Sequence, residues 1–116
     1  MREEITYWKN GKEKTLIVYS KDGIKKSEYT FWKNGKTKTG IFYYEDGAKE
    51  GVVTYRKNGK LKSTITYHED GVTKKEEAKH GKNGIMEVEI KYNYYGNRLI
   101  EEDGELKVKL KKRNNK

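Results

Sequence analysis

The sequence contains no cysteine, which excludes a disulfide framework and any thiolate metal site. No apolar run reaches ten residues, so neither a signal peptide nor a membrane span is expected, and a cytoplasmic protein is the default. Proline is absent and only two alanines occur among many Lys, Asn, Ile and Tyr, a bias of AT-rich coding that speaks to origin and not to function. Hydrophobic residues make up only 32% of the chain against 39% charged, a balance that leans toward disorder unless periodicity supplies order. At 116 residues there is room for one domain. Arginine is scarce too: Arg2, Arg56, Arg98 and Arg113 are the only ones, so the net charge of +9 is carried almost entirely by lysine. A lysine surface favours acidic partners, meaning an acidic protein, a nucleoprotein, or RNA or DNA read through its backbone, because base edges are read best by the arginine fork.

What the chain does have is a strict period. Gly11, Gly23, Gly35, Gly47, Gly59 and Gly71 are twelve apart, and Lys-Asn-Gly turns alternate with Asp-Gly turns. The segments between them, such as TLIVYS and STITYH, are rich in Ile, Val, Thr and Tyr and read as strands. The fold class expected is all-β: an antiparallel meander of repeated hairpins, about nine or ten strands, with every Asn-Gly turn at one end and every Asp-Gly turn at the other. It forms a single domain over 1–116, with regular repeats at 5–71 and an irregular tail at 72–116.

Loop length sets the faces. A three-residue loop with Gly in the left-handed region pairs residues of equal parity. It predicts one core face holding Ile5, Tyr7, Ile17, Tyr19, Tyr29, Phe31, Ile41, Tyr43, Val53, Tyr55, Ile65 and Tyr67, with Ile5 opposite Thr15 and Tyr29 opposite Thr39. From Gly71 to Gly84 the spacing is thirteen. Beyond it the apolar positions are even: Met86, Val88, Ile90, Tyr92, Ile100, Leu106, Val108 and Leu110. One extra residue between Val72 and Lys82 returns them to the same face, although TKKEEAKH also reads as a short helix. Turns are expected at Tyr94-Tyr95-Gly96 and at Glu102-Asp103-Gly104.

Residues 38–67, KTGIFYYEDGAKEGVVTYRKNGKLKSTITY, carry Gly40, Tyr43, Tyr44, Asp46, Gly47, Gly51, Tyr55, Asn58, Gly59, Lys60, Leu61 and Lys62. This segment resembles the variant MORN repeats of bacterial antitoxins of the YwqK type, and the resemblance extends more weakly over 5–71. It departs at Leu16, Glu28 and Thr64, where the repeat has Gly40, and at Ser27 and Ser63, where it has Gly51. The resemblance implies a MORN-like sheet serving as a scaffold for protein contacts or lipid headgroups, with no catalytic residues to carry over.

On the outward face, equal parity aligns Trp8, Lys12, Lys14, Trp32, Lys36, Lys38, Arg56, Lys60 and Lys62 as a basic strip. One reading is a binding strip, with lysines on phosphates or carboxylates and Trp stacking on bases or anchoring a protein. The other is a solubilising, edge-guarding surface in which each Trp covers a lysine stem. Val18, Phe42, Tyr44 and Val52 form an apolar end, either a partner or dimer patch or the far side of a curled sheet.

Chemistry has few candidates. Asp22, Asp46, Asp70 and Asp103 each precede a glycine and serve turns, and His68 and His80 read as solvated surface residues. No nucleophile elbow or phosphate loop is present, and no cofactor or metal is expected. The expectation is a non-catalytic binding module, a small inhibitor or antitoxin-like factor gripping a protein or nucleoprotein target. Phage-encoded inhibitors of bacterial defence, including anti-CRISPR proteins, are also small, basic and free of cofactors. The alternative is sequence-nonspecific binding of RNA or DNA along the Lys/Trp strip.

Overall fold

The Asn-Gly and Asp-Gly turns, all but the one at Asp70-Gly71, close as three-residue loops. In the first, Trp8 N–H donates to Lys12 O at 2.8 Å and Gly11 N–H to Trp8 O at 3.0 Å, with Gly11 at φ +87°. Asn10 fixes the turn by accepting from Lys12 N–H at 2.9 Å, the local bond that makes Asn or Asp favoured before a left-handed Gly. The same closure recurs at Ser20/Ile24, Trp32/Lys36, Tyr44/Ala48, Arg56/Lys60, Gly81/Ile85 and Asn93/Asn97. The expected turn at Tyr94-Tyr95-Gly96 is therefore present. Residues 103 and 104 of the other expected turn lie outside the described residues.

The computed structural model describes residues 2–102 and 105–109, including the side chains of 2–100. Its ten strands are β1 (Arg2–Tyr7), β2 (Glu13–Tyr19), β3 (Lys25–Phe31), β4 (Thr37–Tyr43), β5 (Lys49–Tyr55), β6 (Leu61–Tyr67), β7 (Lys74–His80), β8 (Met86–Tyr92), β9 (Arg98–Glu102) and β10 (Glu105–Lys109). They form one antiparallel sheet in sequence order, an all-β meander with no helix among the described residues. TKKEEAKH is thus strand, and the extra residue sits in the turn: His68 N–H bonds Thr73 O across a four-residue loop that leaves Val72 78% exposed.

The single core face is not formed. Beyond the turn lies a second irregularity, at Thr6/Tyr7 in the first hairpin and at the matching place in the next six pairings, through Lys79/His80. Lys14, Lys38 and Lys62 are the extra residues of the Asn-Gly hairpins, so Thr6 pairs Thr15 and Ile5 pairs Leu16 instead of Thr15. A bulge shifts the register by one, and a shift of one exchanges faces. Ile17, Ile41, Ile65, Tyr19, Tyr43 and Tyr67 consequently share the back face with Val88, Ile90 and Tyr92, while Ile5, Tyr7, Tyr29, Phe31, Val53 and Tyr55 belong to the front. Ile100 falls on the back face as expected, and the side chains of Leu106, Val108 and Leu110 lie outside the described ones.

There is a physical reason for dividing the set. A single-layer sheet has no second layer to cover an all-apolar face, which would remain an exposed patch well above the few hundred Å² usual on a monomer. Divided between faces, most of the apolar side chains are half-buried by their neighbours, Ile5, Tyr7 and Val88 being exposed. Among the described residues only Ala78, Ser27 and His68 have buried side chains. Bulky-against-small pairing survives with different partners: Tyr29 and Phe42 meet edge to face at 5.9 Å over Gly40, and Phe42 pairs Gly51.

Polar ladders hold the back face. Thr6–Thr15, Thr30–Thr39 and Thr54–Ser63 are hydroxyl pairs at 2.5–2.6 Å. Tyr19 donates to Glu4, Tyr43 to Glu28 and Tyr92 to Glu77, each pair fifteen residues apart. Burial and the Glu28 bond push the Tyr43 phenol up to about 12, and the same bond holds the Glu28 carboxyl below its ordinary value. A raised phenol value means stability that is whole below pH ~10 and lost as pH rises toward 12. A lowered carboxyl value means stability present above pH 4.5 and lost on acidification. Urea unfolding between pH 8 and 12 is expected to fall more steeply for the parent chain than for Tyr43→Phe. Equal slopes would show that the pair carries none of that dependence.

Candidate binding surface at the Asn-Gly end

The residue after each turn glycine explains why the repeat is 24 residues long and not twelve. Two strands separate turns at the same end of the sheet, and side chains bridge that interval. The Lys12 stem lies 3.4 Å from where a Cβ on Gly35 would stand, Lys36 lies 3.3 Å from Gly59 in the same sense, and Lys60 lies 3.7 Å from Gly84. Their ammonium groups continue the bridge, Lys12 donating to Asn34 O at 3.2 Å and Lys36 to Asn58 O at 3.1 Å. Asn10 and Asn34 add bonds to Lys33 O and Lys57 O. At the opposite end Ile24 packs on Gly47 and Ala48 on Gly71, and Tyr44 O–H donates to Tyr67 O. Each of the first six turns therefore rests on the turn two strands later.

The residue before the turn bridges the same gap. Trp8 Nε1 donates to Phe31 O at 3.3 Å and Arg56 Nη2 to His80 O at 2.9 Å. The Trp32 indole N–H is buried without a partner. Each indole is met by two ammonium groups, Trp8 by Lys14 (4.9 Å) and Lys33 (5.2 Å), and Trp32 by Lys38 (4.8 Å) and Lys57 (5.3 Å). Lys33 and Lys57 are absent from the sequence-derived strip. Their signal was the 24-residue period itself, since each occupies the place of Lys9 in its unit.

The basic strip thus lies along the Asn-Gly end of the sheet and not across one outward face. The nine expected residues do come together there, with different duties. Lys12, Lys36 and Arg56 bond backbone carbonyls of the next unit, and the Trp rings are half-buried and flanked by lysine ammonium groups. Lys14, Lys38 and Lys62 ride on the bulges. Segments 8–14, 32–38 and 56–62 hold ten Lys or Arg and one acid, whereas 20–26, 44–50 and 68–74 hold five cations and six acids. An open groove between Trp8 and Trp32 is lined by Lys33, Lys38, Lys57 and Asn34.

The apolar end does not assemble as expected. Val18 and Phe42 flank the buried Ser27 on the front face, Val52 stands between Ile41 and Ile65 on the back, and Tyr44 is committed to its turn contact. The register shift that divided the core divides this set too. His68 is buried and not solvated: its ring stacks on Tyr94 at 4.3 Å and Nε2 lies 3.4 Å from Tyr92 O. Among the described residues no three His, Asp or Glu side chains gather into a metal-ligating group.

No family model and no curated protein matches this chain. The crystal structure of accessory secretory protein 1, 2 and 3 in Streptococcus pneumoniae is similar over 85% of it, with a TM-score of 0.52 and 15% identity. A GtfA/B complex bound to UDP and GlcNAc aligns over 91% of it, with a TM-score of 0.47 and 18% identity. The chain spans about a fifth of each of those chains, 19% and 23%. What it shares with the secretory protein structure is the fold, an antiparallel β-meander.

Proposed function

We propose that this protein is a non-catalytic binding module, an inhibitor or antitoxin-like factor of the cytoplasm, that grips an acidic protein or nucleoprotein through the Asn-Gly end of its sheet. The observation that carries the reading is charge segregation: ten cations against one acid on three stacked turns, beside a nearly balanced opposite end. Adjacent clusters repeat every two strands, about 10 Å, on a backbone rigidified by turn-to-turn bonds. Such a surface steers an acidic partner and needs little ordering when it docks. The resemblance of residues 38–67 to variant MORN repeats supports a scaffold role of this kind.

The second reading, RNA or DNA held by its phosphates, rests on the same lysine spacing. Salt separates the two, because a nucleic-acid complex with about six phosphate contacts loses roughly 10³ in affinity between 50 and 200 mM salt. The decisive experiment is capture from host lysate with and without nuclease, repeated with the triple variant Lys14→Glu, Lys38→Glu, Lys62→Glu. These lysines make no turn bond, so the sheet is expected to survive while capture falls about tenfold or more. Undiminished capture by the triple variant would exclude the basic end, and loss of capture on nuclease treatment would favour the nucleic-acid reading.

A further inference from the structure

Among the described residues β1 has β2 as its sole neighbour, and all six of its residues are exposed. Trp8 turns its N–H and C=O toward the β2 side, so by strand alternation Thr6 and Glu4 do the same while Tyr7, Ile5 and Glu3 point their backbone groups outward. The back-face side chains of this strand are already engaged: Thr6 with Thr15, Glu4 with Tyr19, and Arg2 over the Tyr19 ring at 4.3 Å. Glu3, Ile5 and Tyr7 are left over. Ile5 is 37% and Tyr7 59% exposed on the front face. Of the usual guards of an edge, β1 keeps the charges of Arg2, Glu3 and Glu4 but lacks lysine, proline and a bulge of its own. Residues 2–7 contain no Lys or Pro, and the bulge of the first hairpin is carried by β2.

The geometry points to β1 pairing antiparallel with β1 of a second copy, about a twofold axis through Ile5, to give one continuous sheet. Charge selects this register. Centred on Ile5, Ile5 meets its own copy, Glu3 meets Tyr7, a carboxylate opposite a phenol that can donate to it, and Glu4 meets Thr6. Centred on Glu4, two carboxylates would stand opposite each other, which is unfavourable across strands. Centred on Thr6, Glu3 would need Lys9 as its partner, and Lys9 is a turn residue. The twofold axis also sends the two basic Asn-Gly ends to opposite sides of the joined sheet, so they do not repel. One partner strand added to a six-residue edge buries less than the ~1,200 Å² of an ordinary stable interface, so the dimer is weak and concentration-dependent.

The test uses the whole chain and its lack of cysteine. Sedimentation equilibrium over about 10 to 500 μM, the range suited to so small an interface, should show the mass rising toward twice that of one chain. Ile5→Lys, which sets two ammonium groups face to face, should remain monomeric with an unchanged circular dichroism spectrum. Under mild oxidation Ile5→Cys should cross-link to a covalent dimer at least tenfold faster than Glu4→Cys or Thr6→Cys, because only residues on the axis bring their Cα atoms within disulfide reach. A parent chain monomeric throughout, dimers that persist in Ile5→Lys, or fastest cross-linking at position 4 or 6 would each overturn the pairing.

Discussion

Gly71→Ala is expected to destabilise the sheet by about 2–4 kcal/mol, whereas Gly23→Ala should cost only about 1 kcal/mol. Both glycines occupy the left-handed region, at φ +71° and +82°, so both substitutions carry the penalty of a Cβ there. They differ in what that Cβ meets. At Gly23 nothing among the described residues stands within 4 Å. At Gly71 the added carbon would sit 2.9 Å from Lys49 N, at the start of β5, and 3.1 Å from the methyl of Ala48, which closes the turn that rests on it. Backbone on one side and a short methyl on the other leave no flexible chain to swing aside. Urea unfolding of the two variants, with the slope against denaturant unchanged, measures the difference. Equal losses would mean that turn stacking contributes nothing beyond backbone conformation.

The second large effect is at Trp32. Truncation to Ala removes a half-buried ring and the face over which the Lys38 and Lys57 ammonium groups sit, and is expected to cost about 2–3 kcal/mol. Trp32→Phe should be much milder, about 1 kcal/mol or less, since the lost N–H is one that is buried without a partner. Trp8 reverses that logic, for its N–H bonds Phe31 O, and Trp8→Phe should lose that bond as well as ring area. Unfolding monitored by the fluorescence of the remaining Trp separates these cases. A Trp32→Phe variant as unstable as Trp32→Ala would sink the account.

Much of this molecule is written in its glycines. Their spacing fixes the number of turns, the order of strands and the segregation of turn types, because a left-handed residue after Asn or Asp has few other solutions. Thirteen residues between Gly71 and Gly84 signalled an insertion, though not that Val72 would take it inside the turn. Faces were not legible. The bulge residues Lys14, Lys38 and Lys62 look like ordinary strand lysines, and nothing local distinguishes a residue that pairs from one that is skipped. One unseen residue per hairpin sufficed to exchange half the apolar set and to scatter Val18, Phe42 and Val52. Six of the nine strip residues close the turns, before the bulge acts, and the other three ride on the bulges beside them. Even there the reach of Lys12 and Lys36 into the following unit depends on the approach of turns two strands apart, which no short window of sequence contains.

The contact between each post-glycine side chain and the turn two strands on has a consequence for how such a chain changes length over generations. A deletion of residues 36–59 would join Gly35 to Lys60, recreating a Lys-Asn-Gly-Lys turn with its neighbours still matched. Removing twelve residues would instead send every later Asn-Gly turn to the wrong end and set lysine stems against the Asp-Gly series. A change of length that keeps these turn contacts is therefore expected to come in whole hairpins, two strands at a time.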